Sequence, residues 1–532
     1  MPSFDHDAIV IGSGFGGAVA ACRMAEAGMK VVVLERGRRW TPKTYPRQPG
    51  DAWLYNADAP QRQNGWADIR TFANMWVACG AGVGGGSLIY ANISVEAKPE
   101  VFDDSRWPDL SYAELKPHYD EVGRMLGVAE LPDGQLTART RLMKEGADKL
   151  GWGSRFRKLP LAVSFDADFN PEAPGARDDL NSKRFINIHG IEQGSCVHCG
   201  NCDIGCQVSA KNTLDLNYLA LAERRGAKIL PLHIVVSLEP RGGDGGGGWI
   251  VHFDRLDRGT RERASMSAQR VVVAAGSIGS TELLLRCRDE HRTLPTLSPK
   301  LGEGWAFNGD FVTPAFYTER AISPSHGPTI TAAIDLLDGV VNGQALFIED
   351  GGIPNLAADF IRERLKNAPG GKLRKLWLDL RQHADVQDPL EGLMPWFGQA
   401  VDAGDGRMFL GRSWYAPWRR KLEMHWDYRR SEATVNAMIE VHSKLTAATG
   451  GKPFVPPTWT VLRNIITPHP LGGCNMGRSS ADGVVDGHGR VWGQPNLWVM
   501  DGAIVPRAVG VNPSRTIAAL AERAVAELIR GA

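Results

Sequence analysis

The stretch Asp7-Ala-Ile-Val-Ile-Gly-Ser-Gly-Phe-Gly-Gly-Ala-Val-Ala-Ala-Cys22, followed by Lys30-Val-Val-Val-Leu-Glu35, reads as strand, glycine turn, helix and strand. Gly12 permits the tight turn, Gly14 lets a pyrophosphate approach the backbone, and Gly17 lets helix and strand pack closely. The alanine-rich helix, expected over Ala18–Gly28, then turns its amino terminus toward the phosphates. Glu35 lies 23 residues after Gly12, where a carboxylate accepts hydrogen bonds from a ribose. An acid there argues against a 2′-phosphate and hence against NADP. The fingerprint and its context predict an α/β dinucleotide-binding fold.

Two further glycine-rich segments enlarge that ligand. Gly80-Ala-Gly-Val-Gly-Gly-Gly-Ser-Leu-Ile89 leaves bare backbone amides suited to a flat ring or a second stretch of pyrophosphate. Val271-Val-Val-Ala-Ala-Gly-Ser-Ile-Gly-Ser-Thr-Glu282 reads as a buried strand, a glycine turn and a helix expected to open at Ser280 or Thr281. Three segments converging on one ligand imply a molecule as extended as FAD.

The chain has 532 residues, too many for one hydrophobic core, so two interlocked domains are expected. Its net charge of +1 argues against nucleic acid as a partner. No apolar run approaches the length of a membrane span, and the first residues lack the pattern of a signal peptide, so a cytoplasmic protein is expected. The run Gly242–Gly248 reads as a hairpin tip. Residues 45–75, rich in Pro, Trp, Gln and Asn, read as a loop covering a substrate entrance.

Near the end stands Thr467-Pro-His-Pro-Leu-Gly-Gly-Cys474, and after it Gly510-Val-Asn-Pro-Ser-Arg-Thr-Ile517. A histidine between two prolines is aimed by a rigid turn. His469 is thus a candidate to hydrogen-bond or deprotonate a hydroxyl, since an imidazole titrates near neutrality. Asn512, just before the helix that Pro513 opens, is its candidate partner.

Taken in order, Gly-Ser-Gly-Phe-Gly-Gly, Gly-Val-Gly-Gly-Gly-Ser-Leu, Ala-Ala-Gly-Ser-Ile-Gly-Ser-Thr-Glu, His-Pro-Leu-Gly-Gly-Cys and Gly-Val-Asn-Pro resemble the glucose–methanol–choline oxidoreductases, and within them the bacterial cholesterol oxidase branch. The resemblance implies FAD-dependent oxidation of a bulky apolar alcohol, a 3-hydroxysteroid first, to the ketone, with oxygen or an electron carrier as acceptor. It implies a Rossmann-like FAD-binding domain, drawn from residues 1–50, 196–310 and 465–532, interlaced with an α+β substrate domain on a mainly antiparallel sheet at 311–464. Residues 51–195 would cover the flavin and add to the substrate domain. Motifs and resemblance together place on the cofactor Gly12, Gly14, Phe15, Gly17, Glu35, Gly80, Gly85, Gly86, Ser87, Asn92, Val236, Ala275, Gly276, Asp501, Gly502, Asn512 and Pro513. The resemblance also makes Glu349, near the end of the apolar run Leu346–Ile348, a candidate to move a proton and isomerise the product double bond. A non-steroid alcohol passed to a carrier is the alternative substrate class.

One run lies outside the resemblance to cholesterol oxidases. Cys196-Val-His-Cys199-Gly-Asn-Cys202-Asp-Ile-Gly-Cys206 has the C-x2-C-x2-C-x3-C spacing of bacterial ferredoxin loops, with Gln207 where those runs usually have proline. The readings are an iron–sulfur cluster, a zinc site, or free or disulfide-forming thiols; some flavin dehydrogenases of the wider family carry a cluster near this point. Finally, residues 356–418 alternate bases with large apolar residues, among them Trp377, Trp396, Trp414 and Trp418, which suits either a helix packed on its own domain with its lysines in water or peripheral membrane contact.

Overall fold

A computed structural model describes residues 4–48, 50–242, 247–257, 259–366, 390–413 and 416–531. The apolar amino-terminal strand His6–Ile11 lies at the centre of a seven-stranded sheet, parallel to Val31–Leu34 on one side and to Thr260–Val273 on the other. Lys228–Leu230 extends the sheet beyond Val31–Leu34, and Leu497–Val499 pairs in parallel with the end of Thr260–Val273. Trp249–Asp257 and His233–Pro240 complete it as antiparallel strands. The expected hairpin tip lies between these two; residues 243–246 fall outside the described residues. Strands buried on both faces need continuous Val and Ile runs, which this centre has.

The first helix, Phe15–Glu26, opens three residues earlier than its alanine content suggested, directly after the glycine turn. The helix after the third glycine segment runs Gly276–Leu285 and opens before Ser280. The reason is tertiary. The Asp501 carboxylate accepts the Gly276 N–H at 2.8 Å and the Ser280 hydroxyl, so the first turn forms around a carboxylate supplied from far along the chain. Ser514–Arg530 packs against Phe15–Glu26 and closes the layer.

The second sheet has six strands, all antiparallel, in the order Lys452–Pro453, Phe311–Phe316, Leu393–Ala400, Gln344–Asp350, Ala332–Val341 and Phe156–Lys158. The helix Glu432–Ala448 packs on it through Val435, Met438, Val441 and Leu445. Trp396 sits inside this sheet, fully buried, with its indole N–H donated to the Thr446 hydroxyl at 2.9 Å, so it is not a membrane-facing residue. Residues 367–389, 414 and 415 of the proposed interfacial segment, with Trp377 and Trp414, lie outside the described residues, as does the side chain of Trp418. No helix among the described residues is long and apolar enough to cross a membrane.

A three-stranded sheet joins the two. Residues 45–75 are a loop with one strand, Ala67–Thr71, which pairs with Met75–Gly80; Ile465–Thr467 then adds in parallel to Met75–Gly80. The Pro-His-Pro turn is therefore anchored to the strand that runs into the second glycine segment.

Candidate active site

The cofactor cradle forms where His6–Ile11 and Thr260–Val273 end side by side. Each is followed by a glycine turn and a helix; the first helix has no side-chain cap at its amino terminus, whereas the Asp501 carboxylate takes the Gly276 N–H at the start of the second. Uncapped N–H groups at a helix start attract anionic oxygens. At Gly12, which has φ +97°, a Cβ would stand 2.3 Å from the Ala274 carbonyl oxygen, so this glycine is demanded by packing. At Gly14 a Cβ would meet nothing nearer than the Gly85 Cα at 4.0 Å, and at Gly276 nothing within 4 Å. Open backbone at Gly14, beside the uncapped start of the first helix, fits the pyrophosphate of FAD.

Other expected cofactor residues have visible work. Glu35 accepts from the Ser13 hydroxyl at 2.6 Å and from the Gly37 N–H at 2.9 Å, which fixes the ends of both strands around the turn. The second glycine segment comes close enough that a Cβ on Gly85 would stand 2.7 Å from the Gly14 Cα. Ser87 donates to the Gly84 carbonyl at 2.7 Å and accepts from Leu214 N–H at 3.2 Å. Val236 occupies a bulge: the register passes from Val235 to Ser237 without pairing it, which leaves its backbone groups free of the ladder. Asp501, besides holding Gly276 and Ser280, accepts the Ala503 N–H at 2.8 Å. Asn92 lines the cysteine cavity described below.

The candidate reaction centre, around His469 and Asn512, is assembled by the turn at 307–310, which sequence reading missed. His469 Nδ1 stands 2.8 Å from Asp310 Oδ1, and the Thr467 hydroxyl donates to the other Asp310 oxygen while accepting the His469 N–H at 2.9 Å. Asp310 is fully buried; burial raises its carboxyl above the usual range, and the His469 ring pulls it back. Two residues earlier, buried Asn308 accepts the N–H groups of Val509 and Gly510 at 3.0 Å and donates to the Val511 carbonyl at 2.9 Å. One turn thus holds the histidine with Asp310 and clamps the backbone before Asn512 with Asn308. No spacing motif marks either residue.

Glu349 comes to the same place through the antiparallel sheet. It pairs in register with Phe397, so both face one side, and the Phe397 ring meets the His469 ring at 6.2 Å. Gln399, two residues on and hence on that same face, donates to Glu349 Oε2 at 3.1 Å. Glu349 Oε1 and Asn512 Oδ1 are buried with no hydrogen-bond partner among the described residues, and His469 Nε2 has none either. These are three unused polar groups in one neighbourhood.

Burial, then the adjacent Asp350 and Asp310 carboxyls, push Glu349 well above 4.5, while the Asn512 amide and Arg157 act in the opposite sense. An acid held above its unfolded value costs the fold nothing below about 4.5 and progressively more as pH rises through the raised value, because only the unfolded chain then ionises freely. Glu349→Gln is therefore expected to match the parent's urea midpoint at pH 4 and to exceed it at pH 8.

Comparison with known proteins decides the family. Two family models described as GMC oxidoreductase match residues 188–293 and 416–521, and one described as an NAD(P)-binding Rossmann-like domain matches 10–59. The chain is 33% identical over 549 residues to a cholesterol oxidase of Mycobacterium tuberculosis, covering 98% of this chain and 90% of that one. The chain belongs to the GMC oxidoreductase family. This GMC oxidoreductase is also 30% identical over 540 residues to a cholesterol oxidase of Acinetobacter baumannii, covering 98% and 94% of the two chains. To the paromamine 6′-oxidase of Streptomyces fradiae it is 27% identical over 97% of its length and 90% of the relative's. Pyridoxine 4-oxidase from Mesorbium loti shares the fold, with a TM-score of 0.63 at 17% identity and 98% of each chain covered. The protein is an FAD-dependent oxidoreductase acting on CH–OH groups.

The cysteine run of this GMC oxidoreductase holds four free thiols. No three His, Cys, Asp or Glu side chains among the described residues are grouped to hold a single metal ion, so the zinc reading finds no support.

Proposed function

We propose that the enzyme oxidises the hydroxyl of a bulky apolar alcohol, a 3-hydroxysteroid first, to the ketone, and that Glu349 then moves a proton to isomerise a ring double bond. The observation that carries this reading is the meeting of His469, Asp310, Asn512 and Glu349 at the face of the antiparallel sheet that carries Phe397. Its support in kinship is the full-length similarity to two cholesterol oxidases.

FAD, when bound, supplies the electron sink for the hydride leaving the alcohol carbon. The residues do the rest. With Asp310 accepting from Nδ1, His469 presents the lone pair of Nε2 to the substrate hydroxyl and takes its proton. Asn512 holds the same oxygen through its amide without changing charge. The protonated form favoured at Glu349 makes it a proton donor as well as a base, which an allylic shift requires at two successive positions. The cofactor segments are 1–50, 196–310 and 465–532, with the substrate region at 311–464.

A non-steroid alcohol passed to a carrier is the second reading. The paromamine oxidase likeness and the cysteine cavity favour it. The test is an anaerobic absorption titration with a 3-hydroxysteroid, a long-chain alcohol and an aromatic alcohol in parallel. Bleaching of the flavin bands by the steroid alone supports the first reading; bleaching by another alcohol and not by the steroid replaces it.

A further inference from the structure

The segment that follows Gly194 folds around an enclosed cavity of about 20 Å³. Cys196, Cys199, Cys202 and Cys206 all line it, together with Asn92 and Lys211. The space exceeds the roughly 10–15 Å³ that a single water needs.

Three features of the wall favour the thiolate form of the sulfurs, the form that ligates metal. Backbone N–H groups are donated to the sulfurs, from His198 to Cys196 Sγ at 3.5 Å and from Ala210 to Cys206 Sγ at 3.2 Å. Lys211 is almost fully buried, and its ammonium donates to the carbonyls of Leu88, Tyr90 and Cys202 at 3.0, 2.9 and 2.7 Å. Cys202 and Cys206, with Asp203 and Asp215, stand close enough to act on this ammonium. Asn92 is fully buried against the cavity, with its side chain in hydrogen-bonding reach of the Cys202 sulfur.

The arrangement also separates a cluster from a single ion. A zinc ion draws its thiolates to about 2.3 Å from one point, and no three such side chains among the described residues converge in that way. A cluster spreads its ligands around a core of several atoms, and C-x2-C-x2-C-x3-C is a spacing that does this. We propose that this cavity binds one iron–sulfur cluster, ligated by Cys196, Cys199, Cys202 and Cys206.

The position gives the cluster a use. Lys211 ties the cysteine loop to the backbone of Leu88 and Tyr90, and the Tyr90 ring meets the ring of Phe15, the first residue of the cradle helix, at 5.5 Å. The cluster therefore lies one side-chain layer behind the cradle. Oxidation of one alcohol to its ketone releases two electrons and two protons. The protons would go to solvent, and a cluster held by the four cysteines would supply a one-electron relay to an acceptor such as a ferric haem protein or ferricyanide. Two acceptors are reduced for each ketone formed.

The inference rests on the family's alcohol oxidation for its use but not for the site itself, so the test reads metal and flavin separately. Full-length protein is purified anaerobically and analysed for iron, acid-labile sulfide, zinc and flavin, before and after reconstitution with ferrous iron and sulfide. About three or four irons and as many sulfides per flavin-loaded chain are expected, with an electron paramagnetic resonance signal in one oxidation state. The double variant C199S/C202S should lose the iron and the signal while retaining flavin. Flavin-loaded parent protein without iron after reconstitution, zinc in its place, or a double variant that keeps its iron would overturn the assignment. If the double variant does not fold, the parent's metal content and signal decide the question alone.

Discussion

His469→Gln is expected to lower kcat toward the far end of the roughly 10²–10⁴-fold range that a positioned acid–base group contributes, with flavin content and thermal midpoint close to the parent's. The side chain is partly exposed and its one side-chain hydrogen bond goes to Asp310, so little of the fold hangs on it. Asp310→Asn should act through the ring. An amide no longer fixes the proton on Nδ1 and no longer stabilises the imidazolium, so kcat should fall on the order of 10²-fold. The pH profile distinguishes this from structural damage. Losing the buried anion should change the shape of the kcat/KM profile, whereas structural damage would lower it alike at every pH. Steady-state kinetics from pH 5 to 9 on both variants, with flavin absorbance as the loading control, checks the pair. Unchanged kcat in His469→Gln would remove the histidine from the reaction.

Gly16→Ala is expected to be the most damaging small substitution. A Cβ there would stand 1.6 Å from the Met500 carbonyl oxygen, and that oxygen belongs to the backbone between the Leu497–Val499 strand and Asp501. A flexible side chain could move aside; this backbone is held because Met500 N–H donates to the Val273 carbonyl at 2.9 Å and Asp501 holds the helix start at Gly276. Relief requires the first helix to move away from the sheet that cradles the cofactor. Overpacking costs about 1–3 kcal/mol where a core can adjust, and here the loss should reach or exceed the upper figure. Urea unfolding and flavin retention after gel filtration measure it. Gly17→Ala, whose Cβ would stand 2.1 Å from the Gly12 carbonyl oxygen, should behave alike, whereas Gly28→Ala meets no neighbour within 4 Å and bears only the strain of its positive φ.

How far the sequence spoke for itself depended on distance along the chain. The first strand, turn, helix and strand were legible because their signals sit within 30 residues: an apolar run, glycines at fixed offsets, an acid at the end of the second strand. The Pro-His-Pro turn and the cysteine spacing were legible for the same reason, since proline restricts its own neighbours and four thiols in eleven residues share a loop. Glu349 could be singled out only by resemblance, as an acid closing an apolar strand has no local mark of function.

Tertiary structure decided what those local features were for. Asp310 stands 159 positions before His469, and Asn308 about 200 before the loop it clamps. Such pairings depend on how two sheets dock, and no periodicity records that. Gly16, outside the three-glycine fingerprint, is required because a strand from the far end of the chain crosses it. Trp396 moved from a supposed interface to a core. In each case the residue's chemistry was visible in the sequence, and the fold determined its neighbours.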